Sequence, residues 1–353
     1  MAKASFSGSP VNIKVVGLGG CGCNAITRMV SDGIRGVEFV AMNTDRQALA
    51  LTEAPVRIQL GMITTHGTGA GGNPEIGHEA AEESRDEINA AISGADMVFI
   101  TCGMGGGTGT GSSAIVADIA RKAGALTVGI VTKPFSFEGR HRMEVAEKGI
   151  ASLLNRVDSL VVIANDRLAS HENRAIGLDD AFRLSDNMLK TGIQVIAEVL
   201  NTPGIINLDF ADIRAILRNS GSAFISSGTG RGPDRAVDAA QSALFSPLLD
   251  KPVHGAKGIL FNILGSDNLT LREVNQAAEF IKQVAEPEAN IIFGVANDPS
   301  LAPNTIKITL IATGFHDEAD APKKDGVPGL TTEPQRVAAP ELKPDGSPPT
   351  LPQ

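Results

Sequence analysis

Three short stretches carry residue types that could do chemistry. The densest is CGMGGGTGTGSS, residues 102–113. Gly105, Gly106, Gly107, Gly109 and Gly111 leave the backbone free to approach a ligand with several N–H groups at once. Thr108 and Thr110 add hydroxyl donors, and a helix behind the loop would bring its positive dipole end to the same point. That combination is an anion cradle for a phosphate chain. No Gly-Lys-Ser/Thr follows, so it is not a Walker A loop. The second stretch is GLGGCGCNAI, residues 17–26, in which Gly17, Gly19 and Gly22 satisfy the dinucleotide pattern G-x-G-x-x-G. Gly20 adds backbone freedom that a dinucleotide turn does not need. A third glycine-rich loop, GTGAGGNPEIG, spans residues 67–77.

One pyrophosphate needs one glycine loop. Three loops converging on one crevice predict a nucleoside triphosphate held from several sides. The competing reading is an NAD-dependent dehydrogenase, with Asp45 as the acid on the ribose. It leaves GGGTGTG and a further stretch, NLDFADIR (207–214), without a role. On spacing alone Asp209 is a helix N-cap and Asp212 an acid in the helix's first turn. Asp186, in AFRLSDN, reads on its own as a solvated carboxylate on a helix.

These stretches need rigid elements behind them. NIKVV, VEFVAM, ADMVFITCG, LTVGIVT and SLVVIAN read as five apolar strands. Between them, NAITRMVSDG, GHEAAEESRDEINAAIS, SSAIVADIARKAG and RMEVAEKGIASLLNRV read as helices. Alternation of this kind predicts an α/β fold with a parallel sheet covered on both faces. A long helix follows over about Leu178 to Leu200, placed as a connecting spine. Then a helix from Arg235 to Phe245 precedes strands KGILFNIL, NIIFGVAN and IKITLIATG, with LREVNQAAEFIKQVA as a helix between the first two. That pattern predicts a smaller α+β domain. The expected organisation is a flexible N-terminus (1–11), a nucleotide-binding α/β domain (12–177), the connecting helix (178–202) and a loop plus α+β domain (203–315). From His316 the chain has eight prolines in 38 residues and no Phe, Trp or Tyr. It reads as a disordered Pro-rich tail, because it cannot bury enough to offset its ordering entropy.

Composition narrows the class. The 353 residues are 42% hydrophobic, enough for a sizeable core. No apolar run reaches the roughly 20 residues of a bilayer span, and MAKASFSGSP lacks the apolar segment of a secretory signal. Net charge is −9, with no basic block, which argues against a nucleic-acid partner. Cys21, Cys23 and Cys102 are an odd set, which fits a reducing cytoplasm better than a disulfide framework. C-x-C is poor spacing for zinc, and no fourth ligand is evident.

Taken together, GGGTGTG, MNTDRQAL (42–49), VTKPFSFEGRHR (131–142), IANDRL (163–168), AFRLSDN (181–187) and NLDFADIR make the chain resemble the tubulin/FtsZ superfamily, in particular bacterial-type FtsZ. The resemblance runs from about Asn12 to Phe315. It implies a tubulin-like GTPase that binds GTP or GDP with Mg²⁺ held mainly by the phosphates. It further implies head-to-tail polymerisation into protofilaments, a cytoplasmic place at the mid-cell division ring, division-ring adaptor proteins as partners, and no direct membrane insertion. By the same resemblance Gly19, Gly20, Cys21, Gly22 and Asn24 approach the α- and β-phosphates, and Ala70, Gly71, Gly72 and Asn73 sense the γ-phosphate. Gly106, Gly107, Thr108, Gly109 and Thr110 wrap the triphosphate. Glu138 and Arg142 meet the ribose and phosphates, while Asn24, Asn165, Phe182 and Asp186 surround the base. Cys23, Asn43 and Gly103 complete the binding set. A carboxylate at Asp186 could accept both N1–H and N2–H of guanine, whereas adenine N1 would be repelled. Asp209 and Asp212, supported by Asn207, would act on the attacking water in the next subunit's pocket. The chain departs from its relatives at Cys21, often Gly or Ala, and at SSAIVA, often Ala-Ala-Pro. Its end, KPDGSPPTLPQ, lacks the apolar and basic peptide that docks membrane tethers. The alternative it raises is an accessory or variant polymer protein without tail-mediated tethering.

Overall fold

The computed structural model describes residues 11–171, 177–201, 204–244, 255–266 and 269–315. The expectations for residues 1–10 and for the tail from His316 lie outside the described residues. The chain begins β1 (Ile13–Leu18), α1 (Gly19–Ser31), β2 (Glu38–Asn43), α2 (Arg46–Ala50), β3 (Val56–Gln59), α3 (Met62–Thr65), α4 (Pro74–Glu83) and α5 (Arg85–Ile92). It continues β4 (Met97–Gly103), α6 (Thr108–Lys122), β5 (Leu126–Lys133), α7 (Arg140–Leu154), β6 (Ser159–Ala164) and α8 (Asn165–His171). The second half comprises α9 (Leu178–Asn201), α10 (Phe210–Leu217), β7 (Gly221–Arg231), α11 (Arg235–Leu244), β8 (Ala256–Gly265), α12 (Leu271–Lys282), β9 (Ala285–Asn297) and β10 (Thr305–Thr313).

The strands lie in the order β3-β2-β1-β4-β5-β6-β7-β10-β8-β9. Strands β1 to β6 pair in parallel. β6 meets β7 over only two residue pairs, and β10 then runs antiparallel to both β7 and β8. The first six strands read as continuous apolar runs where both faces are covered. Val15 and Val16 are neighbours on opposite faces and both are fully buried. Val15 packs with α1, α9 and α10, whereas Val16 packs with α4, α5, α6 and α7. A third core joins α11 and α12 to β8 and β10 through Ala239, Ala243, Phe261, Ile281 and Ile308.

The long helix α9 has 24 residues, hence a length of about 36 Å. Leu189, Ile193 and Ile196 share one core with Ile130 of β5 and Ile225 of β7. The helix therefore rests on strands from both halves of the sheet. Two strands, β3 and β7, and the helices α2, α3 and α8 were not expected. The single helix expected over 77–93 is two helices joined at Ser84. There the Ser84 hydroxyl accepts from the Gly61 N–H at 3.0 Å, and the backbone departs from helical values. Helices α1 and α6 begin inside their glycine loops, at Gly19 and Thr108, earlier than the apolar pattern indicates. No helix among the described residues is long and apolar enough to cross a membrane.

Candidate nucleotide site

The strand order reverses between β1 and β4. From β1 the chain winds outward through β2 to β3, and from β4 it winds the other way through β5 to β6. Ligands of open α/β sheets bind at such a switch point, beyond the carboxyl ends of the strands. A crevice of about 300 Å³ opens there. The first turn of α1 supplies Gly19, Gly20 and Cys21, and the loop after β4 supplies Gly103 and Gly105 to Gly109. Helices of 13 and 15 residues thus aim their N-terminal N–H groups at one point. Both contribute positive dipole ends, which is the arrangement that holds phosphate.

The loop 103–109 is held in place from behind. Gly105 sits at φ +99°, in the region that favours glycine. Its N–H donates to the Thr110 hydroxyl at 3.0 Å. A side chain at Gly107 would strike Ala70 and the Asn73 backbone within 3 Å. The loop 70–73 therefore buttresses the phosphate loop rather than lining the crevice. Asn73 itself caps α4, accepting from Glu75 N–H at 2.9 Å. Thr108 shares a 2.5 Å hydrogen bond with Thr44, fastening α6 to the end of β2.

At the other end of the crevice, α9 presents Phe182, Ser185 and Asp186, spaced to share one helix face. Ser185 donates to Asn165 Oδ1 at 2.8 Å. Phe182 packs edge-on against Phe135 and Phe137, with ring centroids 5.6 and 6.4 Å away. An aromatic face beside a buried carboxylate suits a flat heterocycle with donor edges. Burial pushes the Asp186 carboxyl up to about 6, against the pull of the Arg28 guanidinium 3.3 Å away. Burial, with Asp186 next to it, pushes the Cys21 thiol up to about 12, and this thiol lies 4.0 Å from Asp186 Oδ1. Glu138 is committed within the protein: it accepts from Phe135 N–H at 2.9 Å and pairs with Arg142.

Several of the anticipated residues stand off the crevice wall. Gly22 is buried against the Thr101 carbonyl of β4, and Cys23 turns into the core, where its thiol meets the Met42 carbonyl at 3.8 Å. Asn24 is exposed on α1. Asn43 accepts from Asp45 N–H at 3.2 Å, and Asp45 itself caps α2 through the N–H groups of Gln47 and Ala48. The carboxylate that a dehydrogenase would turn to a ribose is thus occupied in its own helix. Asn207, Asp209 and Asp212 lie on the loop into α10 and do not line the crevice. Asp209 and Asp212 form a reciprocal capping box: each N–H donates to the other's carboxylate, at 3.0 and 2.9 Å. Beside them Ile205 is 69% and Ile206 42% exposed.

Sequence reasoning did not single out Arg28, Thr44, Thr132, Pro134 or Ser185. Ser185 was readable from its spacing to Phe182. Arg28 was not, because nothing in the sequence ties α1 to α9. A larger groove of about 560 Å³ lies behind the phosphate loop, between α4, α6 and α7. Glu75, His78, Glu79 and Lys148 line it with mixed charge, so the crevice is the better phosphate site.

The tubulin/FtsZ family GTPase domain matches residues 12–173, and the FtsZ family C-terminal domain matches residues 221–316. An empty FtsZ dimer from M. jannaschii superposes with a TM-score of 0.80 at 45% identity, over 86% of this chain and 88% of that one. A point mutant of FtsZ from M. jannaschii gives 0.81 at 45% identity, over 87% and 92%. A GDP-bound CetZ1 monomer from Haloferax volcanii shares the fold, with a TM-score of 0.76 at 19% identity over 87% and 95%. The chain is accordingly a guanine-nucleotide hydrolase and belongs to the FtsZ family of tubulin-like GTPases.

Proposed function

We propose that the chain polymerises head-to-tail when it binds GTP and hydrolyses the nucleotide at the contact between copies. One observation carries the reading: the crevice of a single chain gathers two helix N-termini suited to phosphate, yet among the described residues no free carboxylate lines it to direct water. Of the two that line it, Glu138 is tied to Arg142 and Asp186 is buried against Arg28 beside the aromatic rings. Asp209 and Asp212 stand outside, next to exposed Ile205 and Ile206. A second copy presenting that loop would complete the site and bury the exposed isoleucines together. Among solved relatives, the M. jannaschii FtsZ is a dimer and a CetZ2 from Haloferax volcanii is a GTPγS-bound protofilament.

In this reading the N–H groups of Gly19 to Cys21 and Gly106 to Thr108 hold the phosphates. Gly22 and Thr110 keep the two loops in shape, and Ala70 to Asn73 transmit the γ-phosphate's presence to α4. Asn165, Phe182 and Asp186 select guanine. Asp209 and Asp212, on a loop steadied by Asn207, orient the attacking water of the neighbouring copy. Phosphoryl transfer is mostly positioning and charge stabilisation, so two placed carboxylates suffice. Mg²⁺ would be held mainly by the phosphates of the nucleotide. Bound there it would neutralise charge on the transferring phosphoryl group. The chain would work in the cytoplasm, in a division ring at mid-cell, recruited by adaptor proteins.

The test is GTP hydrolysis per subunit against protein concentration, with light scattering in parallel. Activity should rise steeply with concentration. Asp212→Ala should bind GTP yet lose at least about 100-fold in turnover, the usual range for a removed acid–base group. Asp212→Asn retains an acceptor for the Asp209 N–H, so it should keep the cap and remain inactive. A flat concentration dependence, or an active Asp212→Asn, would sink the proposal.

A further inference from the structure

A second cluster of charge lies at the opposite end of the parallel sheet, under the amino end of β5. A polar cavity of about 160 Å³ is lined there by Arg121, Leu126, Asp158, Arg214, Arg218 and Asn219. The three guanidiniums come from the last turns of α6 and α10 and from the residue after α10. None forms an ion pair among the described residues. Arg121 donates to Asn219 Oδ1 at 3.0 Å, and Arg214 donates through Nη2 to the Gly124 carbonyl at 3.2 Å. Arg214 Nε is buried and has no acceptor. Asp158 does not supply one. Its Oδ2 accepts from Thr127 N–H at 2.9 Å and its Oδ1 from Asn219 N–H at 3.4 Å.

Helix C-termini attract arginines without any ligand, so the charges must be counted. The ends of α6 and α10 are each worth about half a negative charge, and Asp158 adds one. Three guanidiniums exceed that sum by about one positive charge. The buried Arg214 Nε–H without an acceptor adds a desolvation cost to the cluster. The cavity is smaller than the roughly 300–1,000 Å³ of a nucleotide or cofactor pocket. Guanidiniums suit a tetrahedral oxyanion through paired N–H···O contacts.

We propose that Arg121, Arg214 and Arg218 form a second anion site, distinct from the nucleotide crevice, that takes one phosphate-type oxyanion. The oxyanion would sit at the carboxyl end of α10, whose amino end carries Asp209 and Asp212. Occupancy there would hold α10 against α6 through charge rather than through packing alone.

The test uses the full chain saturated with GDP, so that the crevice is filled. Thermal unfolding is followed in sodium phosphate, in glycerol phosphate, and in sodium chloride of equal ionic strength. Phosphate at tens of millimolar should raise the midpoint by about 2–4 °C, as expected for a site of millimolar affinity. Arg121→Gln and Arg218→Gln replace exposed side chains, so their midpoints in chloride should match the wild type. Both should lose the phosphate-dependent rise. A rise with glycerol phosphate as well assigns the site to phosphoryl groups of larger molecules; a rise with phosphate alone assigns it to the free ion. No rise in the wild type, or an equal rise in both variants, would overturn the proposal.

Discussion

Guanine-nucleotide affinity should depend on the ionisation of Asp186. Burial raises this carboxyl to about 6, because the ionised form loses solvation that Arg28 only partly replaces. In the proposed reading the charged form accepts two hydrogen bonds from guanine, so protonation would compete with binding. The apparent dissociation constant then scales with one plus the ratio of protonated to ionised carboxyl. Near pH 8 that factor is about 1, and near pH 5.5 it is about 4. The titration should stop there, because the sequence isoelectric point is near 5.2 and solubility falls. Phosphate groups on the nucleotide also titrate in this window, so wild type must be compared with Asp186→Asn at each pH. Asparagine keeps one acceptor and removes the charge. The ratio of the two dissociation constants should shift roughly fourfold between pH 8 and pH 5.5, with the wild type losing its advantage in acid. Fluorescent GDP titrated by anisotropy measures it. Arg28→Gln removes the guanidinium's pull toward the ionised form and should move the midpoint upward. A ratio that stays constant over the window would refute the assignment of Asp186 to the base.

Two further predictions test the scaffold. Gly111→Ala places a methyl about 2.0 Å from the Pro74 carbonyl oxygen and 2.6 Å from His78 N. Backbone must move, so the cost should be about 1–3 kcal/mol in thermal unfolding, with weaker GDP binding because Thr108 lies one turn away. Glu273, bound to Arg235 at 2.6 Å and capping α12, has its carboxyl held down to about 2 by that guanidinium. A depressed pKa stabilises the fold above the unfolded value and is lost as pH falls toward the folded one. Glu273→Gln should therefore cost about 2 kcal/mol in urea denaturation at neutral pH, a gap that narrows below about pH 4.5.

Much of the fold was legible because a parallel sheet buries both faces. Val15 and Val16 are apolar for different neighbours, and the run of β1 records both. β3 was not legible: VRIQ is a half-exposed edge with two polar residues in four. β7 hid for another reason. GSAFISSGTGR reads as a loop, yet α11 lies on it with Ala236, Ala239, Ala240 and Ala243 buried, so close packing replaces large side chains. In the site, the glycine loops announced themselves by composition. Their supports did not, since Ala70 and Asn73 act by contact with Gly107, and Arg28 by reach across to α9. In the sequence Cys21 is placed by resemblance beside the phosphates. In the fold it is a wall of the crevice, its thiol against the carboxylate that we assign to the base.

Asp209 and Asp212 show why spacing alone leaves two roles open. A D-x-x-D pair at a helix start is what a capping box requires, and the structure contains that box. The box uses Asp209 Oδ1 and Asp212 Oδ2, one oxygen from each carboxylate. Asp209 Oδ2 and Asp212 Oδ1 have no hydrogen-bond partner among the described residues, and Asp209 is exposed. The cap therefore fixes two carboxylates side by side while leaving one acceptor on each. In the proposed reading those two acceptors would orient the attacking water. A carboxylate on a free loop would lose side-chain and backbone freedom on meeting a second copy. Here the helix start has already fixed it, so assembly need supply only the phosphate. In the proposed reading capping and catalysis are one arrangement used at two levels, and a variant that keeps the cap while removing the charge separates them.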